Sequence, residues 1–319
     1  MDTCLQLAPK LRRTHVKEEV DRRQQDRYTR CAVSLSISVI IPNLHSPLIG
    51  DVIAAIAGQT GRRLIGEILV VGQDRYGLVK LPARHIETPR PVSAARARNL
   101  GAAAAQGDYL VFIDSDCIAA PELIDHLVPW LQAGSAVVCG GVTIETGEYW
   151  SMCDDLLVFA DYLDTSPAGE RAWVPSLSLC MQRSLFRRIG GFDERFPGAA
   201  GEDTDLSLRL RAAGITLAFE PRARVIHRHR RATPRAVWEH LRAFGRVQAT
   251  IWRRHTQLMP PPLPLERLHS LSPALRAVAP MLAVRDVTLL AHHMPRLLPG
   301  LIWARTAWYW GVAEGVEIL

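Results

Sequence analysis

No stretch of this chain reaches the ~18 uninterrupted apolar residues that a membrane-spanning helix needs, so spanning segments are not expected. Paired cysteines are missing as well. Cys4, Cys31, Cys117, Cys139, Cys153 and Cys180 show no CxxC or other paired spacing, which argues against a zinc framework and a disulfide scaffold and fits a reducing compartment. The N-terminus is charged rather than apolar, against a secretory signal. Internal repeats and low-complexity blocks are absent. Acidic residues almost vanish from one region: between Arg222 and Arg254 ten arginines meet a single carboxylate, Glu239. The net charge of +6 and pI near 9.2 imply a basic patch for phosphates, nucleic acid or anionic lipid without choosing among them. The expectation is a cytoplasmic protein able to sit peripherally on the inner face of the cell membrane.

What is present is ample material for a core. The chain has 319 residues, 48% of them hydrophobic, enough for one large α/β domain with an appendage. Residues 1–35 form a charged arm with few large apolar side chains. Patterning begins at Ser36, where Ile37–Ile41 is a β-branched run stopped by Pro42-Asn43, which reads as a buried strand. Ile49, Val52, Ile53 and Ile56 recur at helical spacing. Ile65–Val71 predicts a second strand, Ala94–Ala105 a helix capped by Ser93, and Asp108–Ile113 a third strand. Further on, helices are expected near Pro121–Gln132, Met152–Tyr162 and Asp203–Ala213. Strands are expected at Val137–Cys139, Trp173–Met181 and Thr216–Glu220. Strands alternating with helices imply a mainly parallel sheet. Ligands of such sheets sit outside the carboxyl ends of the strands, where Pro42-Asn43, Gly72–Asp74 and Asp114–Asp116 should converge.

Asp114-Ser115-Asp116 is the sharpest chemical feature. Two carboxylates one residue apart beyond a hydrophobic strand are expensive to bring together unless a cation shares them, and such oxygen ligands suit Mg²⁺ or Mn²⁺. A turn whose Asp side chains cap the next helix is the plain alternative. The second feature is Gly190–Phe196 followed by Gly201-Glu202-Asp203-Thr204-Asp205. Acidic groups at a helix start are ordinary capping, yet three of them exceed one cap. Third, Pro221–Arg231 places His227 and His229 in a basic run after the last strand, where arginines could hold a diphosphate.

In this order and spacing, the motifs resemble those of inverting GT-A-type glycosyltransferases, the large family that includes bacterial rhamnosyl- and galactosyl-transferases. The resemblance covers about residues 36–250 and rests on Ser38–Pro42, Arg98–Gly101, Asp108–Asp116, Gly190–Phe196, Gly201–Leu210 and Pro221–His227. It implies the GT-A nucleotide-diphospho-sugar transferase fold, with a catalytic domain at 36–254 and a helical tail at 255–319. It also implies a nucleotide-sugar donor, a glycan or lipid-linked acceptor, and Mn²⁺ or Mg²⁺. By the same resemblance Asp116, with Asp114 and His227, would hold the metal. Pro42, Asp74, Arg98, Asp114 and His227 would face the donor. Asp203 would be the base, with Glu202 placing the acceptor. The chain departs from the pattern at Val71–Asp74, Asn43–His45 and Ser178, which bears on the nucleotide rather than the fold.

Two other readings compete. A catalytically silent scaffold need not keep Asp114, Asp116 and Asp203 together. A nucleotidyltransferase usually carries a Gly-rich phosphate loop after its first strand, and Pro42–Pro47 is not one. Nucleic-acid binding lacks a base-reading motif. In the tail, Leu289, Leu290, Leu297, Leu298, Leu301, Ile302, Trp303, Trp308 and Trp310 interleave with Arg285, Arg296 and Arg305. That composition suits an anionic membrane surface, a homo-oligomer contact, or packing on the chain's own catalytic domain.

Overall fold

The computed structural model describes residues 35–318 except 146, 197, 230 and 289–293; nearly all of the expected N-terminal arm lies outside the described residues. Ser36–Leu319 is one compact unit. Its frame is a sheet whose first half is parallel. β3 (Ala83–Glu87), β2 (Ile65–Gln73), β1 (Ile37–Leu44) and β4 (Tyr109–Ile113) lie side by side in that order. Ile37, Val39, Ile40, Ile41, Leu69, Val70, Val111 and Phe112 are fully buried, as expected of parallel strands covered on both faces.

The second half is mixed. β8 (Ser178–Gln182) runs antiparallel between β4 and β6 (Val137–Thr143), β9 (Ala218–His227) runs parallel to β6, and β5 (Cys117–Ala119) and β7 (Gly169–Glu170) are antiparallel to β9. Six of the nine described strands point the same way.

Helices flank the sheet: α1 (Ile49–Ala57), α2 (Ala94–Ala104), α3 (Leu123–Gln132), α4 (Tyr149–Phe159), α5 (Arg183–Arg188) and α6 (Glu202–Ala212). The Ser93 hydroxyl caps α2 by accepting the Arg96 N–H at 3.2 Å. Gly101 lets α2 lie on the sheet, since a Cβ there would meet Ile40 Cγ2 at 2.5 Å.

Several elements differ from expectation. β3, β5, β7 and α5 are additional, and only Ser178–Gln182 of the expected Trp173–Met181 strand is extended pairing. The last strand does not end at Pro221 but continues to His227. Its partner explains this: Gly140 and Gly141 of β6 carry no side chain where Ala223 O and Pro221 O would lie 1.9 and 2.4 Å from a Cβ. The β6–β9 register shifts at that point. A proline inside a strand is tolerated at such an irregularity, and the extension carries His227 to the site.

After β9 come α7 (Pro234–Arg254), α8 (Leu265–Ser270), α9 (Ser272–Val287) and α10 (Leu298–Ile318). α7 starts on the Thr233 hydroxyl, which accepts the Ala236 N–H at 3.2 Å, with Pro234 in the first turn. α10 packs on α7, α9 and α4 with its backbone unusually close to α7. A Cβ on Gly245 would fall 1.9 Å from Trp308 O, on Gly311 2.0 Å from Arg242 O, and on Gly315 2.2 Å from Arg246 O. Arg242 and Arg246 both donate to Glu314 across this seam.

The tail thus spends its apolar side chains on its own domain. Leu297 and Leu301 are buried with Met152, Cys153 and Leu156 of α4. Trp303 donates its indole N–H to Pro234 O. Arg285 and Arg305 pair with Asp286. Leu289 and Leu290 lie outside the described residues. The exposed large apolar side chains of the tail are Leu263, Leu271, Trp303, Ile318 and, on α9, Val278, Met281 and Val284. No helix among the described residues is long and apolar enough to cross a membrane. We expect Gly311→Ala to destabilise the chain by about 1–3 kcal/mol, because the added methyl must separate two packed backbones. Chemical denaturation measures this, and an unchanged midpoint would contradict the close seam.

Candidate active site

β1, β2 and β4 end at the same edge of the sheet, and a two-lobed cavity opens there. The outer lobe, about 340 Å³, is lined by Pro42, Asn43 and Leu44 at the end of β1, Val92, Ser93, Ala94 and Ala97 around the start of α2, and Asp114-Ser115-Asp116 after β4. The inner lobe, about 160 Å³, is lined by Phe159, Trp173, Pro175, Ser176, Glu202, Asp203, His227, Arg231, His240 and Phe244. Arg98, Asp114, Asp116 and Ala199 border both. The lobes meet at the two carboxylates.

Arg98 stands at that meeting point. It projects from α2, is 2% exposed, and donates from Nη2 to Asp114 Oδ1 at 2.6 Å and from Nη1 to Glu202 Oε1 at 2.9 Å. Burial alone would favour loss of its proton, but Asp114 and Glu202 more than offset this and hold its pKa above the ordinary value. Arg98 was expected to bind the donor and Glu202 to place the acceptor. The structure joins the two by this ion pair inside the fold, where a buried cation needs its carboxylates, and both line the inner lobe.

Next to Arg98, Asn99 grips the glycine loop. It donates to Phe192 O at 2.8 Å and accepts the Phe192 N–H at 3.0 Å. Gly191, at φ +66°, leaves room for it. Gly191 thus serves an internal clasp.

Asp203 opens α6 and lines the inner lobe. Burial, and then the adjacent Glu202 carboxylate, push its pKa up to about 7, against the opposing pull of Arg98 and of the Thr204 N–H donated at 2.7 Å. A carboxyl group poised near neutrality in a cavity is suited to accept a proton. Asp205, by contrast, is 2% exposed and tied to Arg209 and His255 at 2.8 Å each.

Opposite Asp203 the structure brings Asp116, Cys117 and His227 together, with ligand atoms within 4.8 Å of one another. His227 Nε2 is 3.8 Å from Asp116 Oδ2. Burial, with Asp116 and Asp114 adding to it, raises the Cys117 pKa well above the thiol range, so without a cation beside it the thiol keeps its proton. The usable donors are a carboxylate oxygen and an imidazole nitrogen, a set that fits Mn²⁺ and leaves positions for phosphate oxygens and water. Asp114, which borders the same lobe, has its Oδ1 held by Arg98.

Asp74 was expected to face the donor. It lies just past the end of β2, but its carboxylate accepts the N–H groups of Tyr76 at 3.2 Å and Val79 at 2.7 Å, and it is not among the residues lining either lobe. It shapes a turn. Pro42 does line the outer lobe.

Sequence reasoning missed a second pair of carboxylates. Asp154 and Asp155 of α4 are both almost fully buried behind the inner lobe. Asp154 accepts from Arg231 Nε at 2.6 Å and pairs with His240 Nδ1 at 2.7 Å. Burial raises its pKa, but His240 and Arg231 bring it down to about 2. Asp155 pairs with His227 and His229. The available signal was two adjacent acids inside the apolar segment Met152–Phe159.

A mostly parallel sheet with a carboxylate-lined, two-lobed cleft at its strand ends defines a GT-A-type fold. Residues 73–172 match the model of Glycosyl transferase family 2; the match includes Arg98, Asp114 and Asp116 but not Asp203 or His227. The pre-mycofactocin glycosyltransferase of Mycobacterium tuberculosis is 31% identical over 175 residues, covering 52% of this chain and 36% of that protein. An N-acetylglucosaminyl-diphospho-decaprenol L-rhamnosyltransferase of the same organism is 32% identical over 111 residues, covering 34% and 35%. The chain spans about a third of the length of these relatives. Among solved structures, the mannosyltransferase PcManGT of Pyrobaculum calidifontis in complex with GDP-Man and Mn²⁺ superposes with a TM-score of 0.57. It is 18% identical, with 88% of this chain and 86% of that one covered, a likeness of fold.

Proposed function

We propose that this chain is an inverting, metal-dependent glycosyltransferase. It moves a sugar from a nucleotide-diphosphate donor to a hydroxyl of a glycan or lipid-linked glycan. The observation that carries the reading is the placement of Asp203, its pKa near 7, across a junction from Asp114 and Asp116. The outer lobe takes the nucleotide and the inner lobe takes the acceptor. Asp116 and His227 would hold a divalent cation, which when bound offsets the charge on the departing diphosphate. Asp203 takes the proton of the attacking hydroxyl on the face opposite the leaving group, and the anomeric configuration inverts. Trp173 and Phe244 wall the inner lobe with aromatic surface suited to the apolar face of a sugar ring, while Arg231 offers N–H donors to hydroxyls and His240, its Nδ1 engaged by Asp154, offers Nε2 as an acceptor.

Asp116→Ala should leave the fold intact and abolish the gain in nucleotide affinity that Mn²⁺ confers. Calorimetric titration of UDP, GDP and dTDP, each with and without Mn²⁺, measures this. Equal metal-dependent affinity in the variant would sink the assignment of Asp116. Proton NMR of the first-formed product tests inversion, and retention of the donor's anomeric configuration would overturn that part.

A further inference from the structure

We infer that Asp155 is a positioning residue that fixes the ring and the tautomer of His227, presenting its bare Nε2 to Asp116. This rests on the reading of Asp116 and His227 given above.

The inference comes from counting protons. Asp155 is 2% exposed, and its hydrogen-bond partners among the described residues are two imidazoles, with no lysine or arginine pairing with it. Its Oδ1 lies 2.7 Å from His227 Nδ1 and 3.1 Å from His229 Nε2. A buried carboxylate is costly without donors, so both nitrogens must carry hydrogen. For His229 this agrees with its other side: Nδ1 accepts the backbone N–H of Arg231 at 3.1 Å. That ring therefore has hydrogen-bond partners at both nitrogens. In the neutral His227 ring the proton on Nδ1 leaves Nε2 with its lone pair on the Asp116 side, 3.8 Å from Oδ2. Phe159 closes the remaining face of the His227 ring, edge to face at 5.5 Å. A carboxylate behind a ligating imidazole orients the ring and raises its basicity, and losing such a partner typically weakens metal binding by about 10–100-fold.

The arrangement is built from α4, with Asp155 reaching β9. Asp154, its neighbour, holds Arg231 and His240 on the wall of the inner lobe. Adjacent carboxylates of one helix thus face two tasks. Asp155 touches neither lobe and would contact no substrate.

The test uses the full chain and Mn²⁺ alone, followed by the loss of the free-ion electron paramagnetic resonance signal. Asp155→Ala is expected to weaken Mn²⁺ binding about 10-fold or more, and Asp155→Asn, which keeps an acceptor oxygen, to recover part of it. In a His227→Ala background, Asp155→Ala should add nothing further. Affinity within twofold of wild type in Asp155→Ala would overturn the inference, and so would an equal loss in the His227→Ala background. Nitrogen-15 NMR of the metal-free wild-type chain at alkaline pH reads the tautomer directly, whatever the stability of the variants. A hydrogen on Nδ1 of His227 supports the inference and one on Nε2 overturns it. A wild-type chain that binds no Mn²⁺ while showing the Nδ1 tautomer would instead overturn the metal reading and leave the positioning of the ring standing.

Discussion

Asp203→Asn is expected to lower turnover by about 10²- to 10⁴-fold while the chain keeps its fold and its affinity for the donor nucleotide. The amide preserves the shape of the side chain and the hydrogen bond accepted from the Thr204 N–H, so what is lost is basicity. The neighbours cannot take over. Glu202 is engaged by Arg98, and Asp205 by Arg209 and His255. The pH dependence has a definite sign. Asp203 titrates at about 7; below that pH it is protonated and cannot accept a proton, so kcat/KM should fall with decreasing pH through an acid limb near 7. Removing the Glu202 charge relieves part of the upward push, and Glu202→Gln should move the limb to lower pH. Steady-state rates across pH 5 to 9 check both. Near-normal turnover in Asp203→Asn would mean that another group is the base.

The second large effect is on stability. Arg98→Met should destabilise the chain by about 3–5 kcal/mol, because the buried bridge loses its cation and leaves two carboxylates facing each other without compensation. Met keeps much of the aliphatic volume, so lost packing is a minor part. Adding Glu202→Gln should restore some stability, since it removes one uncompensated charge; the coupling between the two sites measures the bridge. Denaturant unfolding of the single and double variants gives the values. A loss below about 1 kcal/mol would show that solvent reaches these groups and that they are not a closed network.

Much of the sheet could be read directly. β1, β2 and β4 are dense β-branched runs with turn residues at their ends, and α2 announces itself with Ser93 and alanines. The strands that escaped are those whose character depends on a partner. β3 (Ala83–Glu87) is half-exposed and lacks a continuous apolar run, and β5 has three residues. β9 passes through Pro221 because of Gly140 and Gly141, more than 70 residues upstream. Local pattern carries no trace of that pairing.

The site divides in the same way. Asp116, Asp203 and His227 stand beside punctuation in the chain and can be picked out by type and position. Asp154 and Asp155 sit inside a helix, where an acid normally marks a solvent face; only the packing of α4 against β9 and α7 turns them inward. Arg98 and Glu202 were singled out correctly as special, but their mutual bond lies across 104 residues and could not be seen from either end.

The glycine seam between α7 and α10 bears on how such a protein could change its acceptor during evolution. His240 and Phe244, on the wall of the inner lobe, precede Gly245 on α7, whose backbone is set against Trp308. A substitution on α10 that widens the seam by a few tenths of an ångström shifts those two side chains as well, although the altered residue touches no ligand. On the proposed function, acceptor preference can therefore drift through the C-terminal helix while the carboxylates assigned to the chemistry stay unchanged. A chimera carrying residues 255–319 of a relative would inherit part of that relative's preference along with its tail.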